Sequence, residues 1–374
     1  SVTSYHPWKD EYRKVPVEEQ DGKIRFLAEF TPAESWIWFL DTGEEPLLGD
    51  VEFPYVHPHY ADPVFAALGP AARVHRTMEN ALTLDRCSYS LGEEPFRAEM
   101  EVWKAQKEIR ERLSMQQVYY NGAPQRYSWL GKEAPGDGTP FALCFSFEVK
   151  EEIKGACYAV VEKSEKFSLT LDGTPLAMAD GFFIDHAMKK WALPPLTAGS
   201  HQLVIRGEYT QEIELEDIYI IGGFAVDMER KICRESGKLH FGDWTLQGYL
   251  HYPGSMVYEF SLPPKQEKDK QYLLKMGEYR ATLAEVKING KSAGILMGNT
   301  EKELDITEYL GDKENLLELC VVGSPRNLFG PFHQTYTGCS RISWADFRTE
   351  GRFYTPEYVV EPYGVMGQIT VCVR

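Results

Sequence analysis

Leu169-Thr-Leu-Asp-Gly173 and Val286-Lys-Ile-Asn-Gly290 are the two stretches that decide the fold of this chain. Each is a short alternating strand that ends in Asp-Gly or Asn-Gly, and such pairs supply the positive φ angles of a tight hairpin turn. Both lie at the same place in a series of strands that the chain runs through twice, in residues 141–227 and 253–330. The other partner strands are predicted at Phe145–Val149 and Tyr258–Leu262, Tyr158–Val161 and Tyr272–Leu274, and Leu203–Gly207 and Leu317–Val321. The distance along the sequence from each strand of the first series to its partner in the second is nearly constant. This indicates a duplicated domain, since solenoid repeats run only about 20 to 50 residues.

The composition is that of a globular chain with no affinity for polyanions. At 374 residues the length predicts about two or three domains, and 43% hydrophobic residues are enough for packed cores. The formal net charge of -16 opposes binding to nucleic acid or to an anionic membrane, because phosphate contacts need clustered Lys and Arg. No run reaches the roughly 18 to 20 apolar residues of a membrane span. We therefore predict neither a nucleic-acid partner nor a membrane partner.

The cysteines and the N-terminus bear on the compartment. The 7 cysteines include no CxxC pair, and Cys144 and Cys320 fall inside apolar strand patterns, where a thiol serves as a small hydrophobic group. This usage favours a reducing environment. The chain begins at Ser1 rather than Met and lacks the basic and apolar regions of a signal peptide. We expect from this that it was processed or excised from a longer chain.

Three segments are predicted along the chain. Residues 1–75 hold two strands, which are too few to bury a core alone, so we interpret them as a β segment that ends an upstream domain. Residues 76–230 and 231–374 are each predicted as a jelly-roll sandwich, because turn signals recur about every 8 to 15 residues. The absence of regular strand and helix alternation argues against a parallel α/β barrel. The predicted fold class is mostly β, with two tandem antiparallel β-sandwich domains.

One amphipathic helix is predicted inside the first sandwich, at residues 94–117. Phe96, Met100, Trp103 and Ile109 recur at helical offsets with charged residues between them. Glu and Arg alternate densely along the same stretch, so we expect one face of this helix to lie in solvent.

The second copy carries the motifs of a known family. Val286–Ile295 with its Asn-Gly turn, the segment Leu304–Leu310 and the strand Glu314–Leu319 follow one another as in a jelly-roll, galactose-binding-like sandwich. In this respect the chain resembles the accessory domains of glycoside hydrolases related to β-galactosidases and rhamnosidases. The first copy keeps the turn and the start of the following strand, Ala198–Val204, but Trp191–Leu196 replaces the Leu-Asp-Ile-Thr segment. The resemblance implies carbohydrate as a partner.

Three further segments, Glu79–Cys87, Gly242–Tyr249 and Arg326–His333, resemble large bacterial glycosyl-hydrolase-like proteins. In that family the last motif commonly ends Gly-Pro-His-His, whereas Phe332 here replaces the first His, which argues against a role that needs both imidazoles. Residues 15–40 resemble the small β-domain that closes a catalytic barrel. The resemblance implies that an upstream catalytic domain of the same protein is a partner of this chain. With the cysteine usage, it favours the bacterial cytoplasm over secretion.

A first group of candidate ligand-binding residues lies at the start of the second copy. Asp243 beside Trp244 combines an acid that can hold a sugar hydroxyl with a ring that can take the apolar face of the sugar. A buried structural Trp with a turn-forming Asp is the favoured alternative. An aromatic wall around them, or a filling between the two sandwiches, could be formed by Tyr249, Tyr252, Tyr336 and Trp344.

A second group consists of Arg326, Asn327 and His333. Arg offers a planar fork of donors, Asn offers donors and an acceptor, and His can act as either, which is the chemistry needed to read sugar hydroxyls. In the favoured alternative, Arg326 and Asn327 tie down the loop 324–343 by bonding to backbone carbonyls.

Paired carboxylates and metal ligands point less clearly to a site. A glycosidase needs two carboxylates about 5 to 10 Å apart, one of them with a raised pKa. Glu212, Glu214 and Glu216 alternate onto one face of a strand, and a solvent-facing role is favoured for them.

No metal and no cofactor is predicted. His57 and His59 with Asp62 have the residue types of a metal site, but the intervening Pro keeps the two imidazoles apart, so a loop-packing role is favoured. A structural calcium is implied by the resemblance alone, since no Asp-rich loop of the required density marks it.

The sequence thus predicts a non-catalytic accessory part of a bacterial glycoside hydrolase, which braces the catalytic domain and contacts glycan. Two alternatives stay open. One is a free-standing carbohydrate-binding module, and the other is a complete glycosidase with its site between the sandwiches. The last alternative predicts a cluster of acids with shifted pKa values in that cleft.

Overall fold

A computed structural model describes residues 1–7, 10–28, 35–41, 62–69, 71, 73–118, 122–297, 302–335, 342, 346–347 and 350–374. Strands make up 46% of the structure and helices 10%, which confirms the predicted mostly β class. The described strands pair antiparallel, apart from a one-residue parallel pairing of Val149 with Ile232, and an isolated bridge between Val226 and Tyr249 is also parallel. Within these described ranges, no helix is long and apolar enough to cross a membrane.

The first sandwich packs two sheets face to face. The smaller sheet has the strand order Ala177–Phe183, Asp185–Leu193, Cys157–Glu162, Ile218–Gly222 and Asn80–Leu84. The larger sheet has the order Met100–Glu101, Arg86–Leu91, Thr139–Val149, Gly199–Tyr209, Ser168–Leu171 and Thr174–Pro175, with Ala225–Val226 and Ile232–Cys233 beside it. Alternate residues of these strands point inward, and Leu82, Phe145, Ala159 and Ile205 belong to the shared core.

The second sandwich repeats this plan. One sheet has the order Lys291–Met297, Leu283–Ile288, Asn315–Val322, Ser255–Leu262 and Arg73–Arg76. The facing sheet has the order Glu303–Asp305, Tyr272–Met276, Ile369–Val373 and Val64–Leu68. Tyr258, Leu274, Val286 and Val371 lie in the core between them. A short third sheet joins Gly242–Asp243, Gly364–Val365 and Tyr279–Arg280.

The N-terminal region forms its own small sheet. Its strand order is Glu11–Val15, Val2–His6 and Ile37–Leu40, and a hairpin pairs Glu18–Gln20 with Lys23–Arg25.

The first sandwich is inserted into the second. Val64–Leu68 pairs with Ile369–Val373, and Arg73–Arg76 pairs with Ser255–Leu262, so the outer sandwich starts before the inner one. The chain leaves and returns at a single point, where Thr77 N donates to the Ser255 carbonyl at 3.0 Å. The predicted N-terminal segment 1–75 therefore shares two strands with the second sandwich. The first sandwich therefore lies within the second along the chain, whereas the sequence predicted two consecutive sandwiches.

The duplication extends to individual hydrogen bonds at the hairpin turns. In the first copy, Asp172 accepts a hydrogen bond from the Gln202 amide at 2.8 Å and contacts His201 Nδ1 at 2.7 Å. The same two bonds are made in the second copy by Asn289 with Leu316 and Asn315. Asp172 and Asn289 both have positive φ, as does the glycine after each, so both turns have the predicted backbone.

The described helices are α1 (Val102–Arg112), α2 (Ala123–Trp129) and α3 (Arg326–Phe329), with 3₁₀ turns at Ser164–Lys166, Thr245–Gln247 and Thr307–Tyr309.

Helix α1 is shorter than the predicted helix 94–117. Ahead of it the chain is extended, because Arg97 N donates to the Tyr89 carbonyl and Met100 pairs with Cys87. The helix ends just before Ser114, whose φ is 56°. Strand pairing with Arg86–Leu91 therefore overrides the helical periodicity at the start of this stretch.

Candidate functional site

Trp244 lies in the core of the second sandwich, and Asp243 beside it is half-buried. The ring of Trp244 is only 1% exposed, and its Nε1 donates to the Tyr258 hydroxyl at 2.7 Å. Asp243 Oδ1 accepts from the Thr245 amide at 2.9 Å and from the Tyr363 amide at 3.3 Å. These contacts match the structural alternative, a core Trp beside a turn-forming Asp.

Tyr249 and Tyr252 pack together next to the point where the inner sandwich is inserted. Their ring centroids are 5.7 Å apart. The Tyr252 hydroxyl accepts from Thr77 N at 3.0 Å and donates to the Ser255 carbonyl at 2.7 Å. Burial raises the pKa of Tyr249 to about 12. Tyr336 and Trp344, the other proposed members of this wall, lie outside the described residues.

The side chain of Asn327 is bonded to the backbone of Glu361 and so holds two distant parts of the chain together. Its Nδ2 donates to the Glu361 carbonyl at 2.7 Å and its Oδ1 accepts from the Glu361 amide at 2.8 Å, while the residue is 1% exposed. Arg326 precedes it with a half-buried guanidinium whose pKa is lowered by burial. Within the described part of the chain, its buried Nη1 has no hydrogen-bond partner.

His333 reaches the other sandwich. Its Nε2 contacts Asp85 Oδ2 at 2.9 Å, and Asp85 follows the strand Asn80–Leu84 of the first sandwich. The other oxygen of Asp85 accepts from Arg230 Nη2 at 2.9 Å and from the Tyr358 hydroxyl at 2.8 Å. Arg230 also stacks over the Tyr358 ring at 3.8 Å. Of the seven predicted residues, His333 joins an ion-pair network at the junction of the sandwiches, and Tyr249 also reaches the first sandwich through a bridge with Val226.

This junction network holds a buried carboxylate in its charged form. Asp85 is 4% exposed. Burial disfavours its charge, but the hydrogen bond with His333 and the positive charge of Arg230 outweigh burial, so the pKa of Asp85 is lowered. Side chains from both sandwiches must keep their positions to satisfy this charge. The network therefore fixes one sandwich against the other.

A small recess that is open to solvent lies beside the network. It combines three carboxyl groups with a cluster of apolar and aromatic side chains. The residues that line it are Asp85, Glu101, Trp103, Asp217, Phe329, Pro331, Phe332, His333 and Phe347. Phe332, which stands where the resembled family has a His, thus contributes an apolar ring to this wall.

Glu101 is a second acid of the recess whose pKa is lowered. Its Oε1 accepts from Arg86 Nη1 at 2.9 Å and from the Tyr354 hydroxyl at 2.6 Å. Burial acts to raise its pKa, but the Tyr354 hydrogen bond and the Arg86 charge prevail, so the pKa of Glu101 is lowered.

Asp217 differs from Glu101 in both its hydrogen bonding and the direction in which its pKa is shifted. Its Oδ1 is buried and has no hydrogen-bond partner among the described residues. Burial, followed by the charges of Asp85 and Glu216, raises its pKa well above the ordinary value. Burial therefore favours the protonated form of Asp217, which can both donate and accept a hydrogen bond.

The sequence reasoning did not select these acids. Asp217 stands directly before the fully buried strand Ile218–Gly222, and Asp85 is an acid within the apolar stretch 80–91. Both acids stand directly beside the end of an apolar strand. This position is a signal that the sequence offers, because a buried carboxyl needs a specific environment.

The acidic stretch 212–216 is only partly solvent-facing. Arg126 forms a bidentate pair with Glu214. Burial, then the charges of Glu162 and Glu214, raise the pKa of Glu216 to about 8. These residues are not in the recess lining.

Metal ligands are not grouped in the described ranges, where no cluster of three His, Cys, Asp or Glu could hold an ion. Asp62 instead contacts Lys275 Nζ and Arg374 Nη2, each at 2.7 Å. His57 and His59 lie outside the described residues.

Comparison with known proteins gives partial structural likeness. No family model matches the chain, and no curated protein matches it. A rhamnosidase from Novosphingobium is 17% identical over 64% of this chain and 23% of that one, with a TM-score of 0.26. A GH2 β-galacturonidase from Eisenbergiella tayi is 13% identical over 65% and 36%, with a TM-score of 0.23. A β-D-mannosidase from Dictyoglomus thermophilum is 9% identical over 76% and 36%, with a TM-score of 0.25. The chain thus spans well under half the length of each of these proteins.

Proposed function

We propose that this chain is a non-catalytic accessory part of a bacterial glycoside hydrolase, which braces the catalytic domain and contacts carbohydrate in the recess between its sandwiches. The resemblance of residues 286–319 to galactose-binding-like accessory domains supports the proposal from the sequence. The junction network supports the bracing role, because buried charges shared by two sandwiches favour one fixed arrangement.

The observation that carries the proposal is the mixed chemistry of the recess. A sugar ring has apolar C–H faces and a rim of hydroxyls, so its sites combine aromatic rings with groups that both donate and accept. Trp103 and Phe347 lie with ring centroids 6.2 Å apart on one part of the lining, and Asp217 and Glu101 supply polar atoms.

The hydrogen bonds of Asp85 argue against a catalytic role for this acid. Both oxygens of Asp85 are already engaged by His333, Arg230 and Tyr358. A nucleophile or general base needs a free lone pair that points at the substrate. On this ground we expect no hydrolysis by the chain alone.

A second candidate, a complete glycosidase, is favoured by one observation. The pKa of Glu101 is lowered and that of Asp217 is raised in the same recess, and such divergence is how a glycosidase divides base and acid roles.

One pair of measurements tests the proposal. Isothermal titration of the purified chain against a glycan panel should give heat with at least one sugar, and aryl glycosides should not be cleaved. Trp103→Ala should weaken binding about tenfold, the order expected for loss of one stacked ring. Leu246→Ala, at an exposed apolar position away from the recess lining, serves as the matched control.

Two results would contradict it. Absence of heat with every sugar would remove the carbohydrate-contacting role. Hydrolysis that is abolished by Glu101→Gln or Asp217→Asn would establish the second candidate instead. A barrel-encoding sequence upstream of Ser1 separates an accessory part from a free-standing binding module.

A further inference from the structure

The hairpin turn Asn289-Gly290 of the second sandwich is a chemically reactive sequence. An asparagine followed by glycine is prone to deamidation, because glycine has no side chain to obstruct attack by its own backbone nitrogen on the asparagine side chain. In this reaction the Gly290 nitrogen bonds to Asn289 Cγ, the bond from Cγ to Nδ2 breaks, and ammonia leaves. Water then opens the succinimide ring to aspartate or isoaspartate. The reaction therefore needs no reagent other than water.

The fold holds the Asn289 side chain by three hydrogen bonds. Its Oδ1 accepts from the Leu316 amide at 3.0 Å. Its Nδ2 donates to Asn315 Oδ1 at 2.8 Å and to the Tyr309 carbonyl at 3.2 Å. Ring closure expels the nitrogen that makes two of these bonds and reorients the oxygen that makes the third. The native contacts therefore oppose the reaction.

An aspartate at position 289 would fit these surroundings poorly. The carboxylate oxygen that replaces Nδ2 would face two other acceptors, the Tyr309 carbonyl and Asn315 Oδ1. Asn315 is only 2% exposed, and its amide is fixed because Nδ2 donates to the Lys313 carbonyl at 2.9 Å and Oδ1 accepts from the Gly311 amide at 2.7 Å. Turning this amide to offer a donor would break both of those bonds. The product of deamidation therefore replaces hydrogen bonds with apposed oxygens.

The equivalent turn of the first sandwich already carries an acid. Asp172 Oδ2 lies 2.7 Å from His201 Nδ1, and His201 Nε2 lies 2.8 Å from the Thr197 carbonyl. An imidazole nitrogen can donate or accept, whereas the amide oxygen of Asn315 only accepts. The residue that faces the turn thus determines whether an acid is tolerated there.

We propose that Asn289 is a deamidation site, where the folded turn slows the reaction and the product destabilises the second sandwich. Asn289 lies between the paired strands Leu283–Ile288 and Lys291–Met297 and is bonded to the start of Asn315–Val322. Deamidation therefore disturbs the point where three strands of one sheet are held together. The first sandwich has no amide to lose at its equivalent turn, because Asp172 stands there.

Peptide mass spectrometry of the wild-type chain tests the protection. The full chain is kept at pH 8 in buffer and in urea that unfolds it, and conversion of the peptide that contains Asn289 is followed with time. We expect deamidation to be at least about tenfold slower in the folded chain, because three hydrogen bonds must be lost before the ring forms. Equal rates in the folded and unfolded chain overturn the proposed protection.

A matched pair of variants tests the effect of the product. Asn289→Asp places one product of the reaction in the second sandwich, and Asp172→Asn makes the reverse change at the equivalent turn of the first. Asn289→Asp should lower the equilibrium constant for folding at least about fivefold, as expected when a partly buried hydrogen bond is replaced by two apposed acceptors. Asp172→Asn should lower it less, because His201 can accept a hydrogen bond from the new amide.

Urea unfolding measures both variants against wild type. A loss in Asn289→Asp that is no larger than the loss in Asp172→Asn overturns the proposed damage. Failure of Asn289→Asp to fold, with Asp172→Asn folded, supports it.

Discussion

Glu216 and Asp217 are consecutive acids that lie in different surroundings. Asp217 lines the recess near the charge of Asp85, whereas Glu216 lies near Glu162 and Glu214. Burial is the largest cause of the raised pKa in both. Burial therefore favours the protonated form of both acids at the start of one buried strand, and ionising either of them there costs free energy.

Glu216 gives the fold a measurable dependence on pH. Its pKa is about 8 in the folded chain and about 4.3 when unfolded, so the unfolded chain releases this proton first. Its contribution to stability is complete below about pH 4 and is lost as the pH rises toward 8. Glu216→Gln should therefore raise the free energy of unfolding at pH 8 by about 1 to 2 kcal/mol, after allowance for partial exposure.

Urea unfolding of both proteins at pH 5 and pH 8 checks this expectation. The stability difference between Glu216→Gln and wild type should grow with pH. Glu212→Gln, at an exposed position of the same stretch, is the control. A difference that is the same at both pH values would contradict the raised pKa.

At the scale of single elements, two glycines show two different reasons why a position in a turn or strand requires glycine. Gly290 has a φ of +76° in an open turn, and no atom lies within 4 Å of the place that a Cβ would take. Gly364 has a φ of +136°, and a Cβ there would lie 2.2 Å from the Gly242 carbonyl oxygen. The first glycine is needed for its dihedral angle alone, and the second also for close strand approach.

Alanine at the two positions should therefore have unequal effects. We expect Gly290→Ala to lower the free energy of unfolding by about 1 kcal/mol, the usual cost of a left-handed L-residue. Gly364→Ala should lower it by at least about 3 kcal/mol, because backbone atoms must move as well. Denaturant midpoints measure both, and equal losses would show that the close contact is not a constraint.

Strands could be predicted from the sequence where one of their faces is buried, because apolar residues then recur at every second position. The repeated strands alternate because they cover a core, and the Asp-Gly and Asn-Gly turns fix their register. The site was not predictable in this way. Asp85 and His333 are 248 residues apart and meet only through packing of the two sandwiches, so no local spacing records their contact.

At the scale of the whole molecule, the insertion of the first sandwich into the second determines which fragments of the chain can fold. Strands Val64–Leu68 and Arg73–Arg76 cover one edge of each sheet in the outer sandwich. A fragment that contains only residues 231–374 would leave those edges open, and open edges promote aggregation.

Fragment complementation tests this. Residues 231–374 alone should be poorly folded by circular dichroism and should aggregate, whereas addition of a peptide of residues 62–76 should restore cooperative unfolding. A peptide with the same composition in scrambled order is the control. Cooperative unfolding of 231–374 without the peptide would show that the two strands are dispensable.

The insertion also has a consequence for biosynthesis. The ribosome delivers the strands Val64–Leu68 and Arg73–Arg76 first, then the whole inner sandwich, and only afterwards Ser255–Leu262 and Ile369–Val373, which pair with those early strands. At about 5 to 20 residues per second, the early strands wait on the order of 10 to 60 seconds for their partners. The inner sandwich can fold during this interval. It then brings Thr77 next to Ser255, so that closure of the outer sandwich begins from two chain ends already held together.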